Sequence, residues 1–460
     1  MLDKIRNSFK GDNYQARALR STGMVLLNFG SENILRLISN LILTRLLFPE
    51  AFGLMALVQV VIAGVAMFSD LGFRSAIIQH PRGNDPVFLN TAWTLQILRG
   101  LLLMAIIMAC AGPAAAFYEE PMLEGLLMIA AFVPLFRGFE SVNMLTANRT
   151  LQLERLTLLM IGCQFVGIVV TISLAWALGS VWALAMGLLV QPLLQAVLSH
   201  LVLEGHRNKL HLEREATWML LTYGGFIFIA SAASFFAVHG DRAVLGKYVS
   251  LEALAIYNIA LLLAQVPRRL SIKVAERILL ALYARRPPSE SARNRRKINQ
   301  ARGLVTGSLF VMTLGLALVG DWLIRLLYDV RYEAAGPYLV MIAIAALPQV
   351  IIQSYMQVPL ASGHSGRYAI LQILTALARF GTLVLLVPPF GLVGAVIAMP
   401  LATFLLYPAL LWINRPYAAL DPRHDILAFL GWALISALVI WWHADIIHPI
   451  LDAAGLTYTR

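Results

Sequence analysis

The sequence has little charge and few cysteines for its length. Asp, Glu, Lys and Arg make up 13% of its 460 residues, about half the share found in soluble domains. Its two cysteines, Cys110 and Cys163, lie in separate apolar runs without the spacing of metal ligands, so we expect small buried side chains and no metal site. No GxxxxGKS or GxxxxGKT segment is present to bind a nucleotide. Since the loops are also too short for a catalytic domain, we expect neither enzymatic activity nor a cofactor.

The sequence is rich in apolar residues. Hydrophobic side chains make up 59% of the chain. They form runs of roughly 20 residues or more, enough for a helix to cross a hydrocarbon core of about 30 Å. Runs such as 101–111 and 156–177 are apolar on every face, whereas the strands of a membrane barrel alternate apolar and polar residues. The composition therefore predicts an all-α polytopic membrane protein.

Thirteen apolar segments are predicted to be membrane helices. They are 21–47, 52–79, 88–116, 123–147, 154–177, 181–203, 217–245, 253–282, 303–327, 337–361, 368–387, 392–413 and 425–443. Alternate loops then lie on opposite sides of the membrane. Twenty-one Lys and Arg residues fall on the side of the N-terminus, against three on the other side. Because basic residues concentrate in cytoplasmic loops, we expect a multi-pass inner-membrane protein whose N-terminal segment, 1–20, is cytoplasmic and retained.

Two pairs of similar segments indicate an internal repeat. FPEAFGLMALV at 48–58 resembles SLEALAIYNIA at 250–260, and ALGSVWALAMG at 177–187 resembles PFGLVGAVIAM at 389–399. Repeated halves are a common plan among transporters, which bind their substrates near the middle of the membrane. We therefore expect twelve to fourteen helices in two six-helix lobes with an extra C-terminal helix. The divisions are 21–203, a cytoplasmic loop 204–216, 217–413 with a basic cytoplasmic loop at 283–302, and 414–460.

The charges inside the predicted helices favour an anionic cargo. The net charge of +11 comes mostly from cytoplasmic loops, so we expect membrane lipids and no nucleic acid as partners. Beyond the first two residues of each segment, the predicted helices contain twelve basic but only six acidic residues. A charge at the centre of the bilayer costs about 3 kcal/mol or more, so such residues should face protein or water. The excess of arginine suits a pyrophosphate, whereas an exporter of organic cations should show the opposite balance.

Three segments resemble a known family. LTRLLFPEAFGLMALVQVV at 43–61 and FSDLGFRSAIIQ at 68–79 are similar to the opening of polysaccharide-transporter proteins, and DRAVLGKYVSLEALAIYNIA at 241–260 is similar to the junction of their seventh and eighth helices. These proteins are the Wzx-type oligosaccharide flippases of the multidrug/oligosaccharidyl-lipid/polysaccharide exporter superfamily. The resemblance covers about residues 15–415. It implies two lobes in a V around a cavity, an undecaprenyl-pyrophosphate-linked oligosaccharide as cargo, and ion-coupled alternating access.

Two other functions compete with the flippase. A multidrug or organic-cation antiporter of the same superfamily would share the fold but should line its cavity with acidic residues. A membrane-embedded glycosyltransferase needs an acid/base pair at a donor site, and no loop of useful size carries paired carboxylates. We therefore expect a flippase that works beside a polysaccharide polymerase or export machinery.

Six basic residues are the candidate contacts for the pyrophosphate. They are Arg36, Arg99, Arg268, Arg269, Lys273 and Arg379. Arg269 and Lys273 lie four residues apart on one face of the predicted eighth helix, and this basic stripe is the leading candidate. Arg36 lies four residues after Glu32 in a polar stripe of the first helix, so an ion pair that only braces helix packing is an open alternative there.

Four titratable residues are candidates for ion coupling. They are Glu32, Asp70, His239 and Asp241. Proton coupling requires a group that changes charge near neutral pH, such as a histidine or a carboxylate in a perturbed environment. His239 and Asp241 lie together near the end of the predicted seventh helix, where a bracing role is equally open. The sequence does not choose among the four.

Overall fold

The structure, a computed structural model, describes residues 14–67, 77, 82–149, 153–274, 279, 282–283 and 287–456. For 14–29, 148–149, 153, 221–230 and 268–274 it describes the backbone alone. The described residues form helices and turns without a strand. They divide into two compact units, Met1–Ala232 and Ala233–Arg460. This division falls inside a helix rather than in the loop 204–216, and the lobe boundaries drawn from the sequence stay a prediction.

The first unit consists of eight described helices and the beginning of a ninth. They are α1 (Tyr14–Leu46), α2 (Pro49–Met67), α3 (Pro86–Tyr118), α4 (Met122–Ala130), α5 (Phe132–Gly138), α6 (Asn143–Arg149), α7 (Leu153–Leu178), α8 (Val181–Val202) and α9 (Arg214–Tyr248).

The residues at the start of α3 show how the sequence determines where a helix begins. Asp85 accepts a hydrogen bond from the backbone N–H of Val87, and Pro86 supplies a first residue that needs no acceptor.

The second unit contains the rest of α9 and seven further described helices. They are α10 (Leu251–Val274), α11 (Ala292–Leu327), α12 (Ala335–Ala346), α13 (Pro348–Ala361), α14 (Ser365–Asn414), α15 (Pro422–Trp442) and α16 (Ala444–Ala453). Within this unit α13 packs on α14, and α11 and α10 pack on α12. Residues of α9, α10, α12, α13 and α14 line the two cavities described in the next section.

Seven of the described helices are long and apolar enough to cross a membrane, and an eighth span results if the bent pair α12–α13 is taken as one. The prediction of an all-α polytopic membrane protein is therefore confirmed. The predicted thirteenth segment, 425–443, is a helix, α15, and is among the seven.

The two halves of the predicted repeat share local structure. α2 begins at Pro49 and α10 at Leu251, one residue before the matched glutamates. The matched glycines, Gly179 and Gly391, both have positive φ, 56° and 53°. Gly179 lies between α7 and α8, and Gly391 lies at a sharp kink within α14. Only glycine adopts this backbone conformation without a steric penalty. The segments that match in sequence therefore form matching turns.

The prediction of a single helix over 123–147 is wrong, because the structure divides this segment into α4, α5 and α6. Pro134, in the first turn of α5, has no N–H to continue the ladder from α4. The break at the end of α5 frees backbone carbonyls, and the side-chain amide of Gln96 donates to those of Arg137, Gly138 and Glu140 at 2.9, 3.2 and 3.2 Å. A glutamine on α3 thus supplies the donors that a membrane interior lacks.

The predicted helix 337–361 is likewise two helices, α12 and α13, bent by 41°. Pro348 cannot donate to the carbonyl of Ile344, four residues before it. The indole N–H of Trp432 donates to that carbonyl at 3.0 Å. Since Trp432 belongs to α15, the bend also fixes the extra C-terminal helix to the second unit.

The cysteines differ from the expectation of two buried side chains. Cys163 is buried, but Cys110 is exposed on α3. Apolar side chains cover every face of a helix whose outer side faces lipid, so hydropathy does not separate the buried face from the exposed one.

Candidate functional site

The second unit contains a cavity of about 230 Å³ with a polar lining, which we call the polar chamber. Gln349, Gln353 and Gln357 line it from α13, and Tyr368, Gln372, Thr375 and Arg379 line it from α14. A second, smaller cavity of about 60 Å³, the adjoining cavity, has α9, α10 and α12 in its walls. Arg379 and Gln349 line both spaces, so they mark the point where the two meet.

Two of the groups that hold Arg379 at this point are neutral oxygens. Its guanidinium donates to the side-chain oxygen of Gln349 at 2.6 Å and to the backbone carbonyl of Ala237 at 3.2 Å. Both acceptors orient the guanidinium without contributing a negative charge. The sequence prediction named Arg379 as an embedded arginine, and the structure places it in the lining of a cavity.

The walls of the polar chamber carry neutral hydrogen-bonding groups. The three glutamines of α13 lie four residues apart, so they share one face of the helix. On the opposite wall the amide of Gln372 donates to the hydroxyl of Tyr368 at 3.2 Å. Apart from Arg379, the residues described as lining this chamber are uncharged. An amide inside a membrane protein is stabilised by a polar neighbour, and water entering the chamber would be one.

Asp241 lies in the lining of the adjoining cavity. It accepts hydrogen bonds from the hydroxyl of Tyr257 at 3.0 Å and from the backbone N–H of Arg242 at 2.8 Å. The Arg242 guanidinium itself donates to the side chain of Asn258. His239 stacks on Phe235 with a centroid distance of 5.8 Å and is not part of the lining of either cavity.

The candidates in the first unit have local partners. Glu32 and Arg36 form a salt bridge of 2.8 Å, with side chains 41% and 52% exposed. The pairing that the spacing allowed therefore exists. Arg99 donates to the backbone carbonyl of Ala66 at 2.9 Å. The structure places none of these three in the polar chamber or the adjoining cavity.

The remaining candidates fall outside what the structure describes. Asp70 lies outside the described residues. Arg268, Arg269 and Lys273 lie on α10, whose backbone is described there without the side chains. The basic stripe and its role stay a prediction.

The sequence analysis missed a buried polar cluster in the second unit. Arg302, assigned to a basic cytoplasmic loop, is instead fully buried in α11. It donates to the hydroxyl of Tyr283 at 2.7 Å and to the carbonyl of Ala419 at 3.0 Å, and its guanidinium lies 4.1 Å from the centroid of the Tyr355 ring. A basic residue beside other basic residues gives no sign of burial. The sequence analysis also did not name Gln349, Gln353 and Gln357, although their four-residue spacing inside an apolar segment is a signal that could have found them.

Comparison with known proteins identifies the family. The model of the polysaccharide biosynthesis protein family matches residues 42–337. The teichuronic acid biosynthesis protein TuaB of Bacillus subtilis (strain 168) is 24% identical over 300 residues, 64% of this chain and 61% of its own length. The succinoglycan biosynthesis transport protein ExoT of Rhizobium meliloti (strain 1021) is 22% identical over 333 residues, 71% of this chain and 65% of its own. The matches thus span somewhat less than two thirds of these relatives.

A solved structure shows the same fold. The lipid II flippase MurJ, in an inward closed conformation, superposes with a TM-score of 0.69 and 13% identity, over 94% of this chain and 97% of its own. At this identity the likeness concerns the fold alone, that of an all-helical membrane protein. The family match covers more than half of the chain, and the chain therefore belongs to the polysaccharide biosynthesis protein family.

Proposed function

We propose that this protein moves a lipid-linked oligosaccharide across the inner membrane for polysaccharide export. Its family makes polysaccharides, one relative is a transport protein of succinoglycan biosynthesis, and the structural neighbour is a flippase of lipid II. The cargo in this proposal is an undecaprenyl-pyrophosphate-linked oligosaccharide, whose head-group enters a cavity while its lipid tail stays in the bilayer. The N-terminus lies in the cytoplasm.

The observation that carries the proposal is Arg379 in the lining of both cavities of the second unit. A cation among membrane helices is costly unless it faces water or a partner. Hydrogen bonds to Gln349 and to the carbonyl of Ala237 orient the planar guanidinium, and a guanidinium binds phosphate oxygens in a two-pronged geometry that lysine does not reproduce. We assign Arg379 to the pyrophosphate. The basic stripe of α10 supplies further contacts in this proposal, whereas Arg36 and Arg99 of the first unit stay predictions from the sequence.

We place ion coupling at Asp241. Its carboxylate lines the adjoining cavity, which Arg379 also lines, so protonation or cation binding there would change the charge that the cargo meets. The bends at Pro348 and at Gly391 supply points where helices can pivot during alternating access. His239, Glu32 and Asp70 remain alternative coupling sites.

Substitution of Arg379 in cells that depend on this protein tests the assignment. We expect Arg379→Gln to abolish surface polysaccharide at an unchanged membrane level of the protein, and Arg379→Lys to restore part of it, because lysine keeps the charge but loses the two-pronged geometry. The matched control is Arg415→Gln, since Arg415 is exposed and lies outside both cavities. Wild-type export by Arg379→Gln would overturn the assignment.

A further inference from the structure

The polar chamber has a charged end and a neutral end. At one end Arg379 is bonded to Gln349. From there α13 runs through Gln353 and Gln357 to a turn at 362–364, and α14 returns from that turn past Tyr368 and Gln372. Gln349 and Gln357 are eight residues apart, a rise of about 12 Å along a helix. The chamber therefore extends away from the guanidinium between two walls of uncharged polar groups.

The amides of the neutral end are available to a ligand. Within the described part of the chain, neither Gln353 nor Gln357 makes a hydrogen bond to the protein, although Gln357 is only 5% exposed. Both line the chamber. Neither amide is among the fully buried polar atoms that lack a partner, so both are accessible to water or to a polar ligand in the chamber that bonds to them.

The chemistry of these groups suits a neutral sugar. A primary amide offers two donors and an acceptor, and it therefore matches a sugar hydroxyl, which both donates and accepts. A phosphate or another anion would instead require a cation, and among the residues described as lining the chamber only Arg379 is one. The neutral end thus differs from the charged end in the ligand that it can hold.

We infer that Gln353 and Gln357, with Gln372 on the opposite wall, form a subsite for the uncharged sugars next to the pyrophosphate. The inference rests on the proposed function, because the position of the sugars follows from the pyrophosphate at Arg379. In a lipid-linked oligosaccharide the first sugar is bonded directly to that group, so a phosphate at the charged end places the first sugars along the amides. These residues select the glycan, whereas Arg379 binds every pyrophosphate-linked lipid.

Two probes with the same lipid separate the two roles. One is a polyprenyl pyrophosphate without sugar, and the other carries a neutral disaccharide on the pyrophosphate. Binding of each to the purified full-length protein in nanodiscs gives the increment in affinity that the sugars contribute. For wild type we expect the disaccharide probe to bind about tenfold more tightly, the contribution of one or two net hydrogen bonds.

The double variant Gln353→Met/Gln357→Met keeps the length of the side chains and removes the amides. We expect it to bind the sugar-free probe as wild type does and to lose the increment. Gln300→Met is the matched control, because Gln300 is exposed and outside the chamber, and it should keep the increment. If the double variant does not fold, Gln353→Met alone should lose part of the increment.

The outcomes distinguish this inference from the proposed function. A full increment in the double variant, or an equal loss of affinity for both probes, would overturn the sugar subsite while leaving Arg379 as the pyrophosphate contact. Unchanged binding of both probes by Arg379→Gln would overturn the proposed function, and the subsite with it.

Discussion

The hydroxyl of Tyr355 donates to the carboxylate of Asp425 at 2.8 Å, and this bond joins α13 to the extra C-terminal helix α15. Tyr407 donates to the same carboxylate at 2.8 Å, and a ring nitrogen of His424 lies 3.0 Å from it. Asp425 is 1% exposed. The guanidinium of Arg302 lies over the face of the Tyr355 ring. The cluster therefore connects α11, α13, α14 and α15 of the second unit.

Replacing this carboxylate should destabilise the protein. Asp425→Asn removes a negative charge that two tyrosines and the nearby Arg302 stabilise, and breaking a buried ionic cluster costs about 3 kcal/mol. We expect a clear decrease in the midpoint of thermal unfolding in detergent. Asp445→Asn on α16 is the control, because Asp445 is exposed. Equal midpoints for the two variants would show that the cluster contributes nothing to stability.

Replacing the glycines at the two matching turns should lower the stability of the protein. Gly179→Ala and Gly391→Ala each force an alanine into a backbone with positive φ, at a cost of about 1 kcal/mol. Nothing lies closer than 3.8 Å to the added methyl group at either position, so the cost is one of backbone conformation. Gly303→Ala, in the helix α11 with open space around it, should be neutral or stabilising. The measurement is the midpoint of thermal unfolding of each of the three variants. Equal midpoints would contradict the claim that the glycines at 179 and 391 are required by the backbone conformation of the two turns.

Arg82 should hold the segment before α9 against the start of α3. It forms salt bridges of 2.7 Å with Asp85 and 2.8 Å with Glu213, both outside the spanning helices. We expect Arg82→Gln to raise amide hydrogen exchange at 204–213, and Arg207→Gln, at an exposed position in that segment, to leave it unchanged. Similar exchange in the two variants would rule out this connection.

The same contact predicts a pH dependence. The hydrogen bond from Arg82 and the backbone N–H of Val87 hold the pKa of Asp85 below its ordinary value of 3.8. A lowered pKa in the folded state stabilises that state above the unfolded value, and the stabilisation is lost as the pH falls through the folded pKa. Protection of 204–213 should therefore persist from neutral pH to about pH 4 and decrease only below it.

Most of the helices follow from the sequence because each is encoded by its own apolar run and its own boundary residues. The turns at Gly179 and Gly391 were visible for the same reason. The breaks after Gly138 and at Leu347 were not, because they depend on donors from distant helices, Gln96 and Trp432. Hydropathy describes a segment and carries no information about such partners.

The candidate site was predictable only in part. Arg379 was named because an arginine in an apolar segment is unusual wherever it points. Arg302 was assigned to the wrong environment, because its burial is created by Tyr283 and Ala419, one 19 residues before it and the other 117 residues after it. The polar chamber arises from the packing of α13 on α14, which no local pattern specifies.

Translocation by the purified protein is the most direct test of the proposed function. Proteoliposomes containing a fluorescent undecaprenyl-pyrophosphate-linked oligosaccharide are treated with a membrane-impermeant quencher. We expect wild type to expose label from the inner leaflet, and Arg379→Gln to slow this at least about tenfold, as loss of a charged hydrogen bond predicts. Quenching limited to the outer leaflet, as in protein-free vesicles, together with uptake of an organic cation by the same proteoliposomes, would contradict a flippase and indicate an antiporter.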